Sequence, residues 1–180
     1  MIAGVHGFEN SLLVTGVPEG MVEKVTPLVA RIRNGYGVGQ WPTLVIEAGY
    51  SQSLAGLHAD MRWWFSTSNH DVKIVILAKL DRRQHEIILE RWEEDAAPAR
   101  LGATTTRRAA RAAGLQPVLR QRITISRNEA TDPVSYDVSR RALVLRFELL
   151  FLRNPGPQEE DIIIGIPELQ HYAMMVWDIG

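Results

Sequence analysis

The sequence predicts a mixed α/β domain, a central mixed sheet flanked by helices, on three observations. Residues 43–48, Thr-Leu-Val-Ile-Glu-Ala, form a continuous apolar, β-branched run between Pro42 and Gly49, as expected of a strand covered on both faces. Ser53 can cap a helix running through Phe65, in which Leu54, Leu57, Met61 and Trp64 make one apolar stripe. Residues 72–80 form a second buried strand, and after the polar turn 81–85 the chain returns as strand 86–92.

The remaining elements follow in order. Residues 11–15 suit a short strand or extended arm. From Pro18 the positions Val22, Val25, Leu28, Val29 and Ile32 keep helical spacing, with a kink or restart at Pro27 and an end at the glycine-rich stretch 34–39. Residues 93–117 are Arg-, Ala- and Thr-rich and read as a mobile linker, helical near 107–113. Residues 118–126 and 142–152 read as strands separated by a polar loop holding Asp132 and Pro133, and 162–166 as a short strand. Pro167 then opens a closing helix whose Leu169, Tyr172, Ala173 and Val176 face the core. The expected organisation is a single domain, 1–180, with its core at 41–92 and C-terminal strands and helix at 118–180.

Composition narrows the function classes. With 180 residues, 46% of them apolar, the chain can bury a core of its own. Twenty basic and 21 acidic residues leave a formal charge of −1, so no global field draws the protein onto nucleic acid or an anionic membrane. The absence of cysteine excludes disulfides, zinc–thiolate sites and thiol nucleophiles. The first ten residues do not read as a signal peptide, and the apolar runs fall far short of the roughly 20 residues a membrane span needs. A cytoplasmic or nuclear location and no membrane partner are expected.

Most chemical motifs resolve to plain structure. Gly35-x-Gly37-x-Gly39 leads into a strand rather than following one, so it reads as a turn and not a phosphate loop. His6, His58, His70, His85 and His171 contain no i,i+4 pair to hold a metal, and Ser51 and Ser53 lie outside any nucleophile elbow. Trp63 and Trp64 are adjacent in a helix, so one belongs to the core and the other to a surface suited to a partner. Glu47 is different: a carboxylate inside an apolar strand must be offset by partial exposure, an Arg partner or a bound cation.

The stretch from Trp41 to Ser53, with its Glu47-x-Gly49-Tyr50-Ser51, followed by Leu57, Asp60, Trp63-Trp64 and residues 71–76, resembles a group of uncharacterised fungal proteins. Their core is similar to the restriction-endonuclease-like, PD-(D/E)XK, superfamily. The resemblance is best over 41–92 and implies a core shortened at its N-terminus. In that superfamily two acids and a lysine hold one or two divalent ions, Mg or Mn, that activate water against a phosphodiester. Glu47 matches the second acid and so is the candidate metal ligand. The lysine position falls on Gly49, leaving Lys73 to supply the charge, and no acid occurs from residue 25 through 46, leaving Asp60 or Asp71 as a displaced second acid beside Glu47.

Arg100, Arg107, Arg108, Arg111, Arg120, Arg122 and Arg127 fall in a stretch free of acids, which suits either a solvated linker or contact with a nucleic-acid backbone. The leading nucleic-acid-binding candidates are Arg107, Arg108 and Arg111. Three functions stay open: a degenerate, noncatalytic nuclease-like domain contacting nucleic acid; a noncatalytic protein–protein or self-pairing module; and a metal-dependent phosphodiesterase.

Overall fold

The computed structural model describes residues 14–15, 41–96, 114–139 and 142–178. The predicted helix at 18–32, the 34–39 turn and Arg107, Arg108 and Arg111 lie outside them. Among the described residues six strands make one mixed sheet in sequential order: β1 (Val14–Thr15), β2 (Leu44–Gly49), β3 (Ile74–Asp81), β4 (Glu86–Ala96), β5 (Leu115–Asn128) and β6 (Ser135–Val138). β1, β2 and β3 run parallel, and β3 to β6 are antiparallel neighbours. The parallel pair β2–β3 requires a crossover, and helix α1 (Leu54–Thr67) provides it.

Strand alternation separates two cores. Val45, Val75 and Leu77 face α1 and pack against Leu57, Met61, Trp64 and Phe65. Leu44, Ile74, Ile76, Ile87, Leu89, Ile123 and Ile125 face the other way. That face is covered by the two-stranded sheet of β7 (Leu143–Leu145) and β8 (Ile162–Ile164), by the short α2 (Phe147–Phe151) and by α3 (Ile166–Asp178). No helix among the described residues is long and apolar enough to cross a membrane.

The expected helix cap is present: the Ser53 hydroxyl accepts from the Gly56 amide at 3.2 Å. Trp64 is buried while Trp63 is 52% exposed, which settles the division between them. In α3, Leu169, Ala173 and Val176 are buried and Tyr172 packs beside them, as the spacing predicts.

Three boundaries differ from expectation. The linker is shorter than 93–117, because Glu93 to Ala96 continue β4 and Leu115 to Pro117 begin β5, paired with each other. The run 142–152 is not one strand. It breaks at Arg146, after which Phe147 and Leu150 bury on helical spacing and Asp161 Oδ1 accepts from the Phe147 amide at 2.8 Å. The polar loop after Asn128 contains β6, an edge strand in which Tyr136 and Val138 reach the core.

Candidate functional site

Glu47 lies half-buried on the α1 face of β2, and its Oε2 accepts from Trp64 Nε1 at 2.9 Å. Its register neighbours are Thr15 on β1 and Leu77 on β3, so neither adjoining strand brings an acid beside it. Lys73 sits four residues before Leu77, about 13 Å away along the strand direction at about 3.3 Å per residue, and its ammonium donates to the His70 carbonyl. Asp60 accepts from the Gln52 side-chain amide at 2.6 Å. Asp71 is exposed in the turn between α1 and β3, at the opposite end of the parallel strands from Glu47. Among the described residues no three acidic or histidine side chains converge as a metal-binding group.

At Gly49, where the resemblance led to the expectation of a lysine, the packing leaves no room for a side chain. A Cβ there would lie 2.9, 3.1 and 3.2 Å from Cδ1, Cδ2 and Cγ of Leu57, a fully buried residue. The helix rests directly on the strand at the position where a lysine would project. The register of β2 with β3 instead puts Lys79 beside Gly49, on the same face as Leu77, with Nζ donating to the Tyr50 carbonyl at 2.9 Å. The sequence carries a trace of this in a lysine interrupting the apolar run 74–80. Only the strand register shows which residue it adjoins.

β4 carries two buried acids, Glu90 and Glu93, that no sequence motif marks. Glu90 is 1% exposed on the α1 face; its Oε2 lies 2.6 Å from His58 Nε2 and accepts from Trp92 Nε1 at 2.9 Å, while Arg122 stands 3.5 Å from Oε1. At the far end of α1, His70 Nδ1 lies 2.7 Å from Glu94 Oε2, so the helix is tied to β4 near both ends. Strand alternation places Glu90 and Trp92 under the helix, on the face opposite Ile87 and Leu89, and this period is the sequence signal for them.

Glu93, also 1% exposed, lies on the opposite face. Arg146 Nη2 donates to its Oε2 at 2.8 Å, Arg120 Nε is 3.4 Å from the same oxygen, and Arg91 Nε is 3.5 Å from Oε1. Arg91 also donates to the Val144 carbonyl. Burial holds the Arg91 pKa below its ordinary value, with the neighbouring Arg146 and Arg120 charges adding to the effect and Glu93 opposing it. The β-bulge opposite Arg91 and Trp92 matters here: Gln121 pairs with Arg91 and Leu119 with Trp92, leaving Arg120 as the extra residue. Arg120 therefore reaches Glu93 while Arg122 reaches Glu90 across the sheet.

The arginines described from the acid-free stretch are thus matched to acids: Arg120 to Glu93 and Asp95 and Arg122 to Glu90 on the neighbouring strand, and Arg127 to Glu129 two residues on, at 3.0 Å. Arg127 also stands over the Trp177 ring. Comparison with known proteins gives no match to a family model, a curated protein or a solved structure.

Proposed function

We propose that this chain is a degenerate, restriction-endonuclease-like domain that contacts the phosphate backbone of nucleic acid without cleaving it. In this reading β2, α1 and β3 correspond to the superfamily core, with Glu47 as the counterpart of its second acid. One observation carries the noncatalytic part. The Glu47 carboxylate is held by the Trp64 indole within the α1–β2 packing, and Leu57 occupies the space a lysine at Gly49 would need. A hard divalent ion is ordinarily held by one or two carboxylates together with substrate phosphate, whereas the Glu47 carboxylate accepts from the Trp64 indole, the Asp60 carboxylate from Gln52, and Asp71 lies at the opposite end of the parallel strands. Backbone contact is supported by the arginines of residues 100–127, since Arg forks onto phosphate oxygens.

The test is cleavage of plasmid and single-stranded DNA with Mg or Mn, comparing the full chain with Glu47→Ala purified identically. No cleavage, or equal cleavage by both, is expected; cleavage lost in the variant would establish a rearranged nuclease site. A protein-binding reading has one observation of its own, the half-exposed Trp63 on the solvent side of α1. It calls for mass that rises with concentration and responds to Trp63→Ala.

A further inference from the structure

We infer that Arg120 and Arg146 form a preorganised phosphate-binding pair, fixed from beneath by buried Glu93 and covered on their outer sides by the exposed carboxylates of Asp95 and Glu148. The inference rests on the nucleic-acid reading above and locates one contact.

The two guanidiniums come from distant parts of the chain, Arg120 from the bulge of β5 and Arg146 from the junction of β7 and α2. One atom, Glu93 Oε2, holds both, at 3.4 Å from Arg120 Nε and 2.8 Å from Arg146 Nη2. Two guanidinium nitrogens held by one oxygen can be no further apart than the sum of those two distances, within reach of the oxygens of a single phosphate. Glu93 is the only one of the three acids in this group that is buried. Three arginines, counting Arg91, meet this single buried carboxylate, an excess of positive charge at the base of the cluster.

Asp161 opposes part of this excess at Arg91, and two surface carboxylates face Arg120 and Arg146. Asp95 Oδ2 is 2.7 Å from Arg120 Nη2, and Glu148 Oε1 is 3.1 Å from Arg146 Nη1. These acids are 55% and 52% exposed, and ion pairs of that kind contribute little, so an incoming phosphodiester can displace them while Glu93 stays in place. Arg120 and Arg146 are themselves 32% and 40% exposed, so the pair is reachable from solvent.

The experiment measures fluorescence polarisation of a labelled single-stranded oligonucleotide with the full chain from 50 to 200 mM salt, alongside a titration of inorganic phosphate followed by thermal shift. Asp95→Asn with Glu148→Gln leaves the Glu93 cage whole and should tighten oligonucleotide binding about three- to fivefold, the release of two surface ion pairs. Arg120→Gln with Arg146→Gln should lower the slope of log affinity against log salt by about 1.4, two contacts at about 0.7 each for a single strand. Unchanged affinity in the acid variant together with an unchanged slope in the arginine variant would overturn the inference while leaving nucleic-acid binding intact. If the unaltered chain binds no oligonucleotide, the nucleic-acid reading fails. Phosphate stabilisation present in the unaltered chain and lost in the arginine variant would then keep the phosphate site; no stabilisation would remove both.

Discussion

Adding a single methyl group at Gly49 tests the packing that decides the site. Its backbone does not adopt a positive φ, so Gly49→Ala is permitted by the chain and, with no clash, would stabilise by about 0.4–1 kcal/mol through the unfolded state. The clash is present: the new Cβ would meet three side-chain carbons of Leu57 at 2.9–3.2 Å, and Leu57 is enclosed by Val45, Met61 and Phe65. Overpacking of this kind costs about 1–3 kcal/mol, so the net expectation is a loss of about 1–2 kcal/mol. Leu57→Ala alone should cost about 2–5 kcal/mol by leaving a cavity. In the double variant the methyl enters that space, so the combined loss should fall short of the sum by about 1 kcal/mol or more. Urea denaturation of the four proteins, with slopes compared, reads this coupling. Strict additivity, or a Gly49→Ala protein as stable as the parent, would refute the close approach of α1 to β2 and with it the lack of room for a side chain at Gly49.

Two further predictions concern charge. Glu90→Ala removes a buried carboxylate that accepts from Trp92 and pairs with His58 and Arg122, and should lower stability by about 2–3 kcal/mol in the same denaturation assay; Asp60→Ala, which loses one solvent-side bond to Gln52, should stay within about 0.5 kcal/mol. The Glu159 carboxyl, hydrogen-bonded by the Arg153 guanidinium and then by the Gly156 amide, is held down at about 2. Since its pKa is depressed on folding, the contribution to stability is complete above the ordinary glutamate value near 4.3 and is lost as pH falls through about 2. A carboxyl-carbon NMR titration should show Glu159 still ionised at pH 3; protonation near 4.3 would contradict the paired geometry.

Much of the sheet around α1 was legible because the signals are local. The β-branched run at 43–48, the capping Ser53, and the spacing of Leu57, Met61 and Trp64 each specify their element within a few residues. The break of the run 142–152 at Arg146 is not legible, because its apolar residues fit strand and helix alike; the break is set by the tertiary bond of Arg146 to Glu93 and by Asp161 reaching back to the Phe147 amide. β6 was hidden because only two of its four residues reach the core. For the candidate site the limit was pairing across strands. Neither the position of Lys79 beside Gly49 nor the matching of Arg120 and Arg122 to different acids can be read without the register, and the bulge at Arg120 reverses what simple alternation would give.

The attachment of α1 to β4 bears on how the domain opens. The helix is connected in sequence to β2 and β3, yet His58 within it and His70 in the turn that follows it reach one strand further, spanning 32 residues from His58 to Glu90 and 24 from His70 to Glu94. Lifting α1 would hydrate Glu90 and expose Trp92 along with Val75 and Leu77, so the helix and the centre of the sheet belong to one cooperative unit. Amide exchange in α1 should accordingly follow that of β3 and β4, even though β3 lies between the helix's own strand and the strand that secures it.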